Sequence, residues 1–404
     1  RPEGADLILL NTCAIREKAE QKVFSDLGRL KIFKARDPGV LIGVLGCVAQ
    51  AEGEKILDRE PAVDFVVGTR GMAELPEIIR KAEAGEKSLF LRLEGEFDPG
   101  RFREASVRQS RISAFVPIIY GCDNFCSYCV VPYVRGREWS RPVDEILREV
   151  CGLAEKGYKE IVLIGQNVNS YGKKNNINND FCGLLHLVSE VDGVERIRFV
   201  TSHPRDLSGS VIAAMASLPA ICEALHLPVQ SGSDRVLGMM NRGYDRADYL
   251  GKVKRLREAI PGIALTTDII VGFPGESESD FEETLSLIRE ADFDRLFAFA
   301  YSPRPGTSAV KLPDPVAEKT KSRRLAAVLD LQKKLTLRKH QALVGSSVEV
   351  LVEGANPKVD GEWTGRTRTN KIVHFSGARS APGELLNVII EKGLPNCLIG
   401  RAVS

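Results

Sequence analysis

The chain has 404 residues, 43% of them hydrophobic and 27% charged, with a net charge of +2. This make-up indicates a globular protein of two or three domains, excludes a low-complexity or collagen-like chain, and is too weakly basic to imply nucleic acid by itself. No apolar run approaches the roughly 20 residues that span a bilayer and no secretory signal is legible, so no membrane partner and a cytoplasmic address are expected.

In chain order, the first segment reads as βα units. Strand runs at 6–11, 40–46 and 64–69 alternate with helical patterns, which predicts a parallel sheet. Cys13 and Cys47 both fall just past the end of a predicted strand, where parallel sheets place ligands. That position suggests half of a metal site, although buried free thiols are also common.

From about 112 to 310 the βα pattern repeats six times, with strands predicted at 114–120, 160–166, 196–202, 223–229, 263–273 and 295–301. Six units suggest an incomplete barrel open enough for a macromolecule. Polar and small residues follow each strand, where barrel folds build active sites: Gly165-Gln166-Asn167, Ser202-His203, Gln230-Ser231 and Gly272 to Glu276. Asp268, His203 and His226 read first as hydrogen-bonded structure.

A long helix is predicted at roughly 316–341. Between 318 and 340 it carries eight Lys/Arg against two acids, a net of +6; a solvated face is the simplest reading. From 346 onward short alternating strands predict a small β-barrel of the kind that often binds RNA. Within it Arg366, Arg368, Asn370 and Lys371, near Trp363 and Phe375, suit phosphate contacts and base stacking.

The most informative spacing is Cys122, Cys126 and Cys129 in the run YGCDNFCSYCVVP. Three thiolates on one loop can hold three irons of a [4Fe–4S] cluster and leave the fourth open for chemistry. A zinc knot is the competing reading, but zinc takes four ligands, and the next cysteine, Cys151, lies in an apolar helical pattern. Nine cysteines in all therefore read as metal ligands and buried thiols rather than as disulfides.

These stretches together resemble the MiaB-type tRNA methylthiotransferases of the radical S-adenosylmethionine (SAM) superfamily. The resemblance runs through NTCAIREKAEQKVFSDLGR (11–29), CDNFCSYCVVPYVRGRE (122–138), LIGQNVNSYG (163–172), HLPVQSGSDRVL (226–237), TTDIIVGFPGE (266–276), AYSPRPGT (300–307) and GRTRTNKIVHF (365–375). It implies an α/β chain with a Rossmann-like methylthiotransferase domain at 1–95, a partial (β/α)6 radical SAM barrel at 108–340 and a TRAM β-barrel at 341–404. It also implies SAM and two [4Fe–4S] clusters. Cys122, Cys126 and Cys129 would carry the radical-generating cluster, with Tyr128 near the adenine of SAM; Cys13 and Cys47 would hold the auxiliary cluster used in sulfur insertion. Gly165, Gln166 and Asn167 would lie near SAM, and Gln230, Ser231 and Arg242 would meet its ribose or carboxylate.

The family pattern has a third auxiliary cysteine upstream of NTC, and this chain starts at Arg1. A truncated first βα unit is therefore expected, with the auxiliary cluster one ligand short. Gly243 stands where the family usually has a second basic residue. The implied reaction is 2-methylthiolation of N6-isopentenyladenosine in the tRNA anticodon loop, by a monomer that draws electrons from a flavodoxin- or ferredoxin-like donor. Alternatives are threonylcarbamoyl-adenosine tRNA, a ribosomal protein, or an RNA-binding form without sulfur insertion.

Overall fold

The computed structural model describes residues 2–14, 17–93, 108, 110–174, 178–377 and 380–403, with backbone alone at 17–20. They gather into two compact units. The first combines the described part of 1–107 with 121–138 and 302–310; the second holds 108–120, 139–301 and 311–404. The cysteine loop thus groups with the amino-terminal segment, and the TRAM segment groups with the barrel. The boundary expected at 95 falls outside the described residues.

In the first unit, β1 (Leu7–Thr12), α1 (Glu17–Arg36), β2 (Leu41–Gly46), α2 (Cys47–Glu52), α3 (Glu54–Arg59), β3 (Phe65–Val67), α4 (Leu75–Glu83) and β4 (Ser88–Phe90) form a parallel sheet in the order β1-β2-β3-β4. Continuous burial of β2 and β3, with Val44, Phe65, Val66 and Val67 fully enclosed, is what a parallel sheet covered on both faces requires. The helical stretch between β2 and β3 is broken at Gly53, whose φ of 50° separates α2 from α3.

The predicted strand 114–120 is two strands, β5 (Ser113–Pro117) and β6 (Ile119–Tyr120). After Pro117 the chain leaves the ladder. Then α5 (Val131–Arg135) intervenes, and β6 pairs antiparallel with β7 (Trp139–Ser140). The second unit continues through α6 (Val143–Glu155), β8 (Glu160–Ile164), α7 (Phe181–Ser189), β9 (Arg196–Phe199), α8 (Gly209–Ser217), β10 (Ala224–His226), α9 (Asp234–Met239), α10 (Arg246–Ala259), β11 (Ala264–Val271), α11 (Glu278–Ala291), β12 (Arg295–Ala300) and α12 (Glu318–Gln341).

Parallel sheets β5-β8-β9 and β10-β11-β12 meet through a bridge between Ile197 and Ile221. Together they make a half-barrel of six strands, with β5 and β12 as edges among the described residues. Alternate strand residues, including Ala114, Val116, Ile161, Leu163, Ile197, Phe199, Leu225, Leu265, Ile269 and Leu296, join one apolar core with the surrounding helices. The residues between them face the concave side, because side chains alternate along a strand.

The chain ends in a closed barrel of β13 (Ser347–Ala355), β14 (Trp363–Thr367), β15 (Ile372–Ser376), β16 (Leu385–Gly393) and β17 (Leu398–Ala402), ordered β13-β14-β15-β17-β16 around Val350, Val373, Phe375, Val388 and Leu398. Its β14–β15 turn caps the amino-terminal ends of the half-barrel strands. Arg196 on β9 donates to the Arg366 carbonyl at 2.7 Å, and Arg198 donates to the carbonyls of Arg368 and Thr367 at 2.7 and 2.8 Å. Arg198 also pairs with the buried Glu160 at 2.6 Å.

Candidate active site: two groups of cysteines and the strand ends

In the first unit, strand register brings the two amino-terminal cysteines together. Thr12 of β1 is the register partner of Gly46 of β2, so Cys13 and Cys47 leave neighbouring strands at the same level. The Thr12 hydroxyl staples the junction: it donates to the Leu45 carbonyl at 2.6 Å and accepts from the Val48 and Ala49 amides at 3.1 and 3.3 Å. Gly46 sits at φ 94°, and a Cβ there would meet the Thr12 carbonyl at 2.5 Å, so no other residue lets the strands approach this closely. Cys47 is buried and Cys13 exposed.

The Cys122–Cys129 loop is held by several clamps within the same unit. Asp123 takes a two-pronged contact from Arg137 at 2.8 and 3.2 Å and accepts the Glu138 amide at 3.1 Å. Gly121 has φ 72°, and a Cβ would strike the Arg137 carbonyl at 2.2 Å, so the loop closes only with glycine there. Phe125 adopts φ 45°, an unusual value for an aromatic residue. The Ala309 amide donates to the Ser127 carbonyl at 2.8 Å, and Thr69 Oγ1 donates to the Val134 carbonyl at 2.6 Å. α5 packs on α2, the helix that begins with Cys47. Both cysteine groups therefore belong to one compact body.

All nine cysteines are described and none is in a disulfide; Cys122 and Cys126 are buried and Cys129 is half-buried. Burial, with smaller contributions from the neighbouring Cys126, Glu138 and Asp123, pushes the Cys122 thiol up to about 11 despite a backbone hydrogen bond at Asn124. A thiol so placed is a poor nucleophile and binds metal by exchanging its proton for a cation. Among the described residues no three His, Cys, Asp or Glu side chains gather closely enough to share one ion. A cubane takes each thiolate on a different iron and leaves one iron without a protein ligand. Three thiols on one clamped loop thus form a donor set that fits a cluster with an open iron.

In the second unit, the polar residues expected near SAM divide into two kinds. Asn167, at 1% exposure, donates through Nδ2 to Asp206 at 2.7 Å while its Oδ1 is buried without a hydrogen-bond partner. An orphaned buried acceptor costs about 1–3 kcal/mol unless a ligand satisfies it. Gln230 holds φ 78° just beyond β10, with its amide on the Asp268 carbonyl at 2.9 Å, and such strain in a non-glycine residue clusters at functional sites. Gly165 and the half-buried Gln166 follow β8 directly; a Cβ at Gly165 would meet Ile119 at 2.2 Å, so packing alone already demands that glycine.

Ser231 and Arg242 make hydrogen bonds within the fold. Ser231 Oγ lies 3.3 Å from Thr284 Oγ1 and accepts the Ser233 amide at 3.2 Å. Arg242 donates to the Tyr244 hydroxyl at 2.8 Å and to the Pro228 carbonyl at 2.7 Å. Buried at the same strand ends, His203 accepts the Arg205 amide at Nδ1, and burial followed by the nearby Arg242, Arg205, Lys173 and Lys252 drives its pKa down to about 2. It is neutral at every working pH, and nothing in the sequence run SHP announced that.

The basic residues of the β14–β15 turn have partners within the fold. Arg368 forks onto Glu223 at 2.8–3.1 Å and donates to the carbonyls of Pro219 and Ile221 at 2.8 and 2.7 Å. Lys371 pairs with Asp294 at 2.9 Å, and Arg366 pairs with Glu353 at 2.7 Å and donates to Asn370 Oδ1 at 3.3 Å. These four residues, offered by the sequence as an RNA contact, build and dock the β14–β15 turn. Exposed Lys319, Lys333 and Lys334 on α12 make no ion pair among the described residues.

Residues 116–288 match the radical SAM superfamily, 341–403 the TRAM domain, and 1–68 a family described only as uncharacterized protein family UPF0004. The chain is 47% identical to the tRNA-2-methylthio-N(6)-dimethylallyladenosine synthase of Syntrophus aciditrophicus, over 98% of this chain and 86% of that protein. It is 50% identical to the synthase of the same name from Geobacter metallireducens, over 98% of this chain and 90% of that one. Among solved structures it resembles the radical SAM methyltransferase TsrM from Kitasatospora setae, with a TM-score of 0.56 at 16% identity over 75% of this chain and 63% of that chain, a likeness of fold alone. Near-half identity along nearly the whole length places the chain in the tRNA-2-methylthio-N(6)-dimethylallyladenosine synthase family of radical SAM enzymes.

Proposed function

We propose that this chain is a radical SAM methylthiotransferase that converts N6-dimethylallyladenosine in tRNA, at the anticodon loop, to its 2-methylthio derivative. The observation that carries the reading is the pairing, within one compact unit, of a clamped three-cysteine loop with two cysteines set side by side by strand register. The relatives' shared name supplies the substrate. Replacing an aromatic C–H calls for a radical, and a cluster-bound SAM supplies one when reduced. The protein's part is position and protection.

Cys122, Cys126 and Cys129 would ligate the SAM-cleaving cluster, with Tyr128 beside the adenine of SAM. Cys13 and Cys47 would give two thiolates to an auxiliary cluster. Gly165, Gln166, Asn167 and Gln230 are the proposed SAM contacts, and Asn167 Oδ1, buried without a hydrogen-bond partner, is an acceptor that a ligand donor would satisfy. The proposed domains run 1–95, 108–340 and 341–404, with the protein acting as a cytoplasmic monomer on tRNA and taking electrons from a flavodoxin- or ferredoxin-like donor. No helix among the described residues is long and apolar enough to cross a membrane.

An anaerobic iron and sulfide count after reconstitution tests this, against a variant with Cys122, Cys126 and Cys129 all changed to Ala. About eight irons per chain falling to about four supports both clusters. About four falling to none removes the auxiliary cluster from the proposal, and a single zinc without sulfide removes both.

A further inference from the structure

The concave face of the half-barrel is not packed as barrel interiors usually are, with layers of branched apolar side chains. It carries Phe297 on β12 at 42% exposure and Phe115 on β5 at 59%. Between them in strand order, β10 and β11 present His226 and Asp268, whose side chains are 19% and 26% exposed. The apolar core lies on the opposite face of the same strands, so core packing does not explain these residues. Aspartate is a poor strand former and an open phenylalanine forgoes burial. Accessible aromatic surface in a concavity with a few fixed polar groups is how small-molecule sites are built.

The polar groups are set with care. His226 and Thr266 are register partners, and the imidazole Nδ1 lies 2.9 Å from Thr266 Oγ1. Its Nε2 lies 3.5 Å from Asp268 Oδ2, and the ring stands edge-on to Phe297 at 6.2 Å. With Nδ1 accepting from threonine, Nε2–H points at the carboxylate and leaves Asp268 Oδ1 to another donor. Asp268 and Phe297 are themselves register partners on β11 and β12, facing the same side at one level. Below them the β14–β15 turn, with Arg198 and Glu160, closes the amino-terminal end of the half-barrel.

We propose that this face reads the modified base: Asp268, steadied by His226, accepts the exocyclic N6–H, and Phe297 takes the dimethylallyl group. The inference rests on the function proposed above, because the substrate it names combines one secondary-amine donor with one branched apolar tail. Asp268 and Phe297 offer the matching acceptor and apolar surface side by side.

The test uses two anticodon stem-loop RNAs that differ only in the dimethylallyl group, bound to the reconstituted holoenzyme without turnover. The native protein should prefer the prenylated RNA by about 10- to 100-fold, the range a small apolar group commands in a hydrophobic pocket. Phe297→Ala should narrow that preference to about threefold or less while leaving affinity for the unprenylated RNA unchanged, and Phe297→Leu should restore most of it. Asp268→Asn should weaken both RNAs, each of which keeps an N6–H, by about tenfold. A merely structural role would not move the ratio between the two RNAs. The proposal is overturned if Phe297→Ala keeps the native preference or if the native protein binds both RNAs alike. Product formation is scored separately: normal methylthiolation with no loss of discrimination in Phe297→Ala defeats this inference alone, and no product from the prenylated RNA defeats the function.

Discussion

Changing Arg368 to Ala separates a docking role from an RNA-binding one. The side chain makes charge-assisted bonds to the Pro219 and Ile221 carbonyls and a forked pair with Glu223. Bonds from a charged donor are worth about 1.5–3 kcal/mol each. The Glu223 pair is 25% and 32% exposed, which reduces it to about 1 kcal/mol. Because these bonds share one guanidinium, they do not add, and a combined loss of about 2–4 kcal/mol is expected. Since about 1.4 kcal/mol is tenfold, amide hydrogen exchange in the 366–371 turn should quicken by about 30- to 1000-fold. Affinity for tRNA at fixed salt should stay within about twofold. Unchanged exchange together with weaker binding and a shallower salt dependence would refute the reasoning and return Arg368 to the RNA.

The same dock should fail in acid. Burial alone would raise the Glu223 and Asp294 carboxyls, but Arg368 for the first, and Lys371 with Lys339 for the second, more than offset it and hold both below the ordinary carboxylate range. A depressed folded pKa gives stability that is complete above the unfolded value and lost as pH falls through the folded one, so protection of the turn should hold at neutral pH and decline below about pH 4. Changing Thr12 to Val leaves the Leu45 carbonyl and the Val48 and Ala49 amides without their side-chain partner. That should destabilise the first unit by about 2 kcal/mol and lower its retained iron, measured by metal analysis after gel filtration, with the Cys122 cluster spectrum preserved. Joint replacement of Lys333 and Lys334 by Ala should weaken tRNA binding several-fold and reduce its salt slope by about two, read by titration at several salt concentrations; an unchanged slope would leave α12 a solvated face.

What was legible in the sequence was local. The Cys122–Cys126–Cys129 spacing, the βα alternation and the change of texture after 346 each depend on neighbours within a few residues; the alternating elements and the terminal barrel follow in the expected order. The side-by-side placement of Cys13 and Cys47 followed from strand ends, although the Thr12 staple that fixes it did not. What was illegible was long-range. Arg368 meets Glu223 across 145 positions and Lys371 meets Asp294 across 77, so two cations of a stretch that reads as basic are paired with carboxylates of the half-barrel. Likewise Asp268 in an apolar strand looks structural until alternation places it on the open side, beside Phe297. Ser231 and Arg242, polar loop residues after a strand, also bond an amide and a carbonyl of the fold, partners that their sequence positions did not announce.

The central claim is tested most directly with a tRNA whose dimethylallyladenosine carries deuterium at C2, incubated anaerobically with the reconstituted protein, SAM and reductant. The account predicts a 2-methylthio nucleoside by mass spectrometry together with 5′-deoxyadenosine that has gained the deuterium. Unlabelled 5′-deoxyadenosine with no methylthio product would contradict it, because the radical would then be made without being delivered to the base.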